Sequence, residues 1–235
     1  MKLKPPTRLV ACATAIAGVA LSLTSAAFAS GGASIAEAPT LPVGTLISGG
    51  GQPWHQYYRL PLYGSDEVTL DLEMPGAGAC PAALVLSLYQ PQVTDYQIEA
   101  ARPLDSTGWV EPGKHEFKWL SPFTGAGIVQ ASGCNSGIAA FNLLITVAHQ
   151  TAVTVHAPTL AKRGSVVIVS AIVQSPAGVP QGTCLIAGRP APLTNGRCER
   201  RVRLRHGHRQ TVGAQFVPDD GWQASAGHRT IQLYR

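Results

Sequence analysis

Val68-Thr69-Leu70-Asp71-Leu72-Glu73-Met74 alternates apolar and polar side chains without a break. Successive side chains of an extended strand point to opposite faces, so this stretch makes one buried face and one wet face. The same period of two recurs along the chain. Residues 83–89 carry Leu84, Leu86 and Leu88 on one side, and Phe141, Leu143, Ile145 and Val147 make a third run. Shorter strands are expected at Glu116-Phe117-Lys118-Trp119 and over 127–131. Turn clusters separate them: Gly49-Gly50-Gly51, Gly64-Ser65-Asp66, Pro75-Gly76-Ala77-Gly78 and Pro112-Gly113-Lys114. No stretch after residue 30 sustains a helical period. The expected fold class is all-β, with two β-sandwich domains.

The N-terminus reads as an export signal. Lys2, Lys4 and Arg8 precede an apolar run from Leu9 to Leu23, and Ala27-Phe28-Ala29 is a small-x-small cleavage site. The run is Ala-rich and short for a bilayer, which sets cleavage against the rival reading of a retained anchor. Leu9-Val10-Ala11-Cys12 imitates a lipidation site, but most of the apolar run follows Cys12 instead of preceding it. The expected organisation is a signal over 1–29, a flexible small-residue lead-in over 30–45, one sandwich over 46–149 and a second over 150–235. No membrane span is expected in the mature chain, and the localisation is secreted or extracytoplasmic.

Charge divides the chain near Ala148–Thr151. Residues 30–150 hold four Lys and Arg against ten acids, a formal −6. Residues 151–235 hold eleven against three, a formal +8. The halves either attract each other or leave the basic one to meet an anionic surface.

Cys80, Cys134, Cys184 and Cys198 remain after signal removal. An even count in an exported chain points to two disulfides, and three pairings are open. Sequence order and the domain split favour Cys80–Cys134 and Cys184–Cys198, contributing ~4 and ~3 kcal/mol in the chain-entropy model. A zinc site is the rival, but the four are scattered and no C-x-x-C occurs.

Chemistry-bearing residues are sparse. His206-x-His208 has metal-ligand spacing but sits in an Arg-rich turn whose cations oppose a metal. No G-x-S-x-G, H-E-x-x-H or D-x-D-x-D-G occurs. Asp95, Asp105 and Glu111 have no local partner to make an acid pair. Asp66, Glu67, Asp71 and Glu73 offer hard oxygens for calcium, or simply a solvated strand face. No catalytic residue, cofactor or metal is assigned, and the chain is not expected to be an enzyme; a secreted hydrolase or its ancillary subunit is the alternative.

Two binding features stand out. Trp54, Tyr57, Tyr58, Trp109, Trp119 and Phe123 all lie in the first half. Rings presented at a surface stack on sugars; otherwise they fill the core, as Trp119 is expected to. Along 200–205, Arg201, Arg203 and Arg205 fall on one strand face and Val202 and Leu204 on the other. Such a stripe grips phosphate or sulfate polymers or is a plain solvated face. The expected partners are cell-wall or extracellular polysaccharide or another anionic polymer, and not nucleic acid.

The second half resembles the bacterial Ig-like repeats of secreted and cell-surface proteins. The matching residues start with Ala152-Val153-Thr154-Val155 and Gly164-Ser165-Val166-Val167. They continue through the turn Gly178-Val179-Pro180-Gln181-Gly182-Thr183 and the hairpin Leu193-Thr194-Asn195-Gly196-Arg197-Cys198. They close with Leu204-Arg205-His206-Gly207 and Val212-Gly213-Ala214-Gln215-Phe216-Val217-Pro218-Asp219. The closing match needs one extra residue after Gly207 and puts Gln210 where the family has His. Cys184 and Cys198 occupy usual β-branched positions, which suggests an added cross-strand bridge. The resemblance implies a non-catalytic spacer or adhesion module, an analogy of fold. More loosely, residues 46–148 resemble the jelly-roll domains appended to secreted bacterial peptidases, which are ancillary binders. The carriers are residues 56–62, 64–72, 83–89 and 121–125; the family's aspartate before the first Tyr is absent.

Overall fold

A computed structural model describes residues 27–28, 31–51, 53–75, 84–134, 137–205 and 207–235. The strands of the first half are β1 (Ala27–Phe28), β2 (Leu46–Gly51), β3 (His55–Leu62), β4 (Glu67–Met74) and β5 (Val85–Tyr89). After the one-turn helix α1 (Asp95–Ile98) come β6 (Asp105–Ser106), β7 (Gly113–Leu120), β8 (Gly125–Ser132) and β9 (Ile138–Ala148). They form two sheets, ordered β1-β2-β9-β4-β7 and β3-β8-β5-β6. From β2 to β9 each strand changes sheet from the one before it, except that β5 and β6 pair within one sheet, which is the winding of an eight-stranded jelly roll.

The alternation in β4 works as the sequence requires. Val68, Leu70, Leu72 and Met74 are at most 2% exposed, while Glu67, Thr69, Asp71 and Glu73 face outward. They pack on Leu60, Leu62, Leu84, Leu86, Val129 and Trp119 between the sheets. The β3-β8-β5-β6 sheet is covered on its other face too. Ile35, Ala38, Tyr57, Tyr89, Ile98 and Ile128 form a smaller apolar layer there.

That layer corrects the expectation of a flexible lead-in over 30–45. Ile35, Ala38 and Leu41 are buried. Gly32 pairs with Tyr57 and Thr40 with Arg59. The Ile35 N–H donates to Asp95 Oδ1 at 2.6 Å, and Arg59 Nη2 donates to the Ile35 carbonyl at 2.9 Å. Small residues dominate the segment by composition, but three apolar side chains at intervals of three are enough to seal it to the sheet.

The second half contains β10 (Ala152–His156), β11 (Leu160–Lys162), β12 (Val166–Gln174), β13 (Gly182–Ile186), β14 (Arg189–Pro192), β15 (Arg197–Arg203), β16 (Arg209–Pro218) and β17 (Ser225–Tyr234). Its sheets run β10-β12-β15 and β11-β17-β16-β13-β14, the layout of an Ig-like sandwich. Val169, Ala171, Ile186, Phe216 and Ile231 fill the space between them. Asn195 and Gly196 take φ of 50° and 74°, the two consecutive left-handed residues of a tight hairpin turn joining β14 to β15. Gly182 takes φ of 146°, and a Cβ there would strike the Val217 carbonyl.

Cys184 and Cys198 are bonded to each other. They stand on β13 and β15, in opposite sheets, so this cross-strand bridge spans the sandwich. Cys134 is disulfide-bonded as well, and Cys80 lies outside the described residues.

The two sandwiches touch through a compact polar junction. Asp66, fully buried, accepts from the Tyr63 N–H at 2.7 Å and from His149 Nδ1 at 3.0 Å. Gln223 Nε2 donates to the carbonyls of Ser65 at 3.0 Å and Ala148 at 2.9 Å. Backbone bonds His149 N–H to Gly221 and Gln223 N–H to His149, both 2.9 Å, splice the connecting residues into the 219–223 loop.

Candidate functional site

Strand β15 supplies the most unusual surface of the protein. Cys198, Val202 and Leu204 point into the core at 1%, 8% and 2% exposure, and Arg197, Arg201, Arg203 and Arg205 point out. Arg200 has the inward parity but is only half-buried. β15 and β14 are edge strands of opposite sheets, and Arg200 spans the gap: its Nη1 donates to the Pro190 carbonyl on β14 at 2.6 Å. A long amphipathic side chain thereby closes the open side of the sandwich with its charge at the rim.

At that rim lies a concavity of about 640 Å³ lined by Arg189, Arg200, Arg201, Arg203, Arg205 and Arg209. The Arg205 N–H donates to Gln210 Oε1 at 2.7 Å, fixing the turn that carries it. Among the described residues, no carboxylate lies within 4.0 Å of any of these six guanidinium groups; the ion pair on this strand is Arg197–Glu199, outside the concavity. Guanidinium groups stay charged in proteins and offer forked donors matched to phosphate, sulfate and carboxylate. Six converging without a counter-charge favour an anion by Coulomb attraction and by bidentate hydrogen bonding.

Of the sequence-predicted basic residues, Arg201, Arg203 and Arg205 are brought together here. Arg189, Arg200 and Arg209 were not expected at the site. Arg189 comes from a different hairpin, and the parity of Arg200 assigns it to the core.

The aromatic row is not assembled. Tyr57 and Tyr58 are 8% and 2% exposed, so their ring faces are inside the protein and are corrected from binding to packing positions. Tyr58 donates its hydroxyl to Gln56 Oε1 at 2.9 Å; Tyr57 accepts from Gln130 Nε2 at 3.3 Å, and Tyr89 donates to Gln130 Oε1 at 3.1 Å. Trp54 and Trp109 are exposed, at 45% and 60%. They lie beside β3 and β6, which are opposite edges of one sheet, so about three strand spacings, ~14 Å, separate them. Trp119 is a core residue.

Burial sets the titration of these phenols. It pushes the Tyr58 hydroxyl up to about 12 from the ordinary 10.0, with the Gly31 backbone opposing weakly, and shifts Tyr57 and Tyr89 in the same direction. The folded state therefore holds these protons more tightly than the unfolded chain. The contribution of these phenols to stability should be flat from pH ~8 to ~10 and fall as the pH rises toward ~12. Denaturant midpoints measured from pH 8 to 12 check this; Tyr58→Phe should flatten the decline.

His55 and Ser132 meet across β3 and β8, Nδ1 to Oγ, at 3.0 Å. The third group is Gln130, whose Nε2 lies 3.4 Å from the same ring nitrogen. An amide cannot stabilise an imidazolium as a carboxylate does, so the pair lacks the orienting acid of a nucleophilic triad. His208 accepts from Arg163 Nη2 at 3.0 Å, and His206 lies outside the described residues. No three His, Cys, Asp or Glu side chains converge on a metal position among the described residues.

No family model matches the chain, and no relative among characterised proteins does. Among solved structures, the ICAM-5 D1-D4 ectodomain fragment is similar over 76% of this chain, at 15% identity and a TM-score of 0.29. This chain spans 53% of that fragment, and a likeness of that size carries no argument about relationship or activity.

Proposed function

We propose that this is an exported, non-catalytic binding module of the cell surface, built from sandwiches over 46–149 and 150–235, that holds acidic polymers in the arginine-lined concavity. One observation carries this reading: six guanidinium groups share a cavity with no carboxylate within 4.0 Å among the described residues. The export signal read over 1–29 and the cysteines in disulfides support an extracytoplasmic setting. Teichoic-type polymers and acidic polysaccharides have the required chemistry; nucleic acid is not the partner in that compartment.

The test is retention of the mature protein on cell-wall fractions and on immobilised polyphosphate across a salt series. Affinity should drop at least ~10-fold between ~50 and ~500 mM salt, because the contacts are solvent-exposed charges. At about 0.5–1 kcal/mol for each exposed contact, Arg201→Gln/Arg203→Gln/Arg205→Gln should weaken binding by ~10- to 100-fold. Salt-indifferent retention, or a triple variant that binds as the parent does, would overturn the reading. Salt-resistant retention abolished by Trp54→Ala/Trp109→Ala would assign binding to neutral glycan instead.

A further inference from the structure

The outer faces of two sheets complement each other in charge and relief. On β12, Val166 and Ile168 are 56% and 59% exposed, and their cross-strand partners on β15 are Arg203 and Arg201. With Arg197 and Glu199, that face carries three arginines against one carboxylate, a net +2. The face is an apolar ridge flanked by cations.

On the first sandwich, β4 turns Glu67, Asp71 and Glu73 outward beside Lys114, Glu116 and Lys118 of β7. That is four carboxylates against two lysines, a net −2. Leu144 on β9 stands opposite Asp71, and Leu46 on β2 stands opposite Leu144. Leu46 is 43% exposed. Leu46, Asp71, Glu73, Glu116 and Leu144 line a concavity of about 380 Å³. Asp71 and Glu116 are direct cross-strand partners, a like-charge pairing that weakens a sheet unless a cation joins it. Glu73 and Glu116 have Lys114 and Lys118 at 3.5 and 3.6 Å; Asp71 has no cation within 4.0 Å among the described residues.

We infer that a second copy of this chain docks its β12–β15 ridge into the acidic β2-β9-β4-β7 face of the first. Val166 and Ile168 would sit against Leu46 and Leu144, and Arg201 would supply the cation that Asp71 lacks. The two faces differ, so the contact is head-to-tail and the bound pair still presents one free face of each kind, one on each copy. Growth beyond a dimer follows unless the rotation closes a ring. Three strands of about seven residues present only ~350 Å² of sheet on each side, below the size of a stable interface, so the contact is weak and transient. A dissociation constant in the range of roughly 10–500 µM is expected for a small, charge-steered contact. The proposal is independent of the polymer-binding reading but shares Arg201 and Arg203 with it, so the acidic face separates the two.

Sedimentation velocity on the mature chain tests it. At ~50 mM salt the weight-average mass should rise with protein concentration up to ~1 mM, and the rise should vanish at ~500 mM. Arg201→Glu/Arg203→Glu and Asp71→Lys/Glu116→Lys should each remain monomeric alone. Mixed, they keep one intact face each and should form a 1:1 pair that grows no further. The Asp71→Lys/Glu116→Lys variant should still bind polyphosphate, and far-ultraviolet circular dichroism should show both variants folded. A parent chain monomeric throughout, either variant associating as the parent does, or a mixture that does not pair would overturn the proposal. Loss of polyphosphate binding by the parent would leave it standing and remove the polymer reading alone.

Discussion

Replacing Cys184 and Cys198 together with alanine should cost about 3 kcal/mol and lower the melting temperature of the second sandwich by roughly 10–20 °C. The bridge closes a loop of sequence separation 14, for which the chain-entropy model gives ~3 kcal/mol. Its position adds to that figure. The bond joins β13 and β15 in opposite sheets, and both cysteines are 1% exposed. β15 is an edge strand held within its own sheet by β12 alone. Without the bridge it is tied to the opposite sheet by packing of Val202 and by Arg200 to Pro190. The rim of the arginine concavity should therefore loosen with the same substitution, and polyanion affinity should fall even though no arginine has changed. Guanidinium unfolding of the double variant, with its polyphosphate binding beside it, checks both effects. A loss below ~1 kcal/mol would mean that the apolar contacts alone hold the sheets, since a lost short loop constraint should cost about three times that.

Much of this fold is legible in the sequence because so many strands have one dry and one wet face. Val68 to Met74 and Phe141 to Val147 are read correctly from their period. The misreadings fall where that condition fails. β3 and β8 belong to a sheet covered on both faces, so Tyr57 and Tyr58 are both buried although they are consecutive. Their burial depends on residues 31–41, whose composition suggests a tether. β14, Arg189-Pro190-Ala191-Pro192, carries two prolines that argue against a strand; it survives as an edge strand, where unpaired ring nitrogens are tolerated. That one strand conceals two of the six arginines of the site, because it delivers Arg189 and the carbonyl that positions Arg200. Arg201, Arg203 and Arg205 were visible because β-parity alone puts them outside. A cavity between two edge strands has no local signature in either of them.

Removing His149 should do more damage than its partly exposed ring suggests. Asp66 is 0% exposed, and its Oδ2 takes both hydrogen bonds, from the Tyr63 N–H and from His149 Nδ1. Oδ1 has no partner among the described residues. His149→Ala leaves this buried carboxylate on a single backbone donor. Leaving a buried acceptor without its donor costs about 1–3 kcal/mol, more for a charged group, and the full burial of Asp66 puts the expectation near 3. The loss should not be confined to the first sandwich. His149 also packs against Tyr63 and Trp222, at 5.7 and 5.4 Å between ring centroids, so the same side chain carries contact from the 63–66 turn to the 219–223 loop. Adding Gln223→Ala removes the two bonds to Ser65 and Ala148, and calorimetry should then resolve separate transitions for the two sandwiches. Asp66→Asn placed in the His149→Ala background is the discriminating control. A neutral amide is less costly to bury with an unmade hydrogen bond than a carboxylate, so it should recover part of the stability without restoring coupling. If Asp66→Asn recovers nothing, the cost of losing His149 lies in its ring packing and not in the charge it leaves behind.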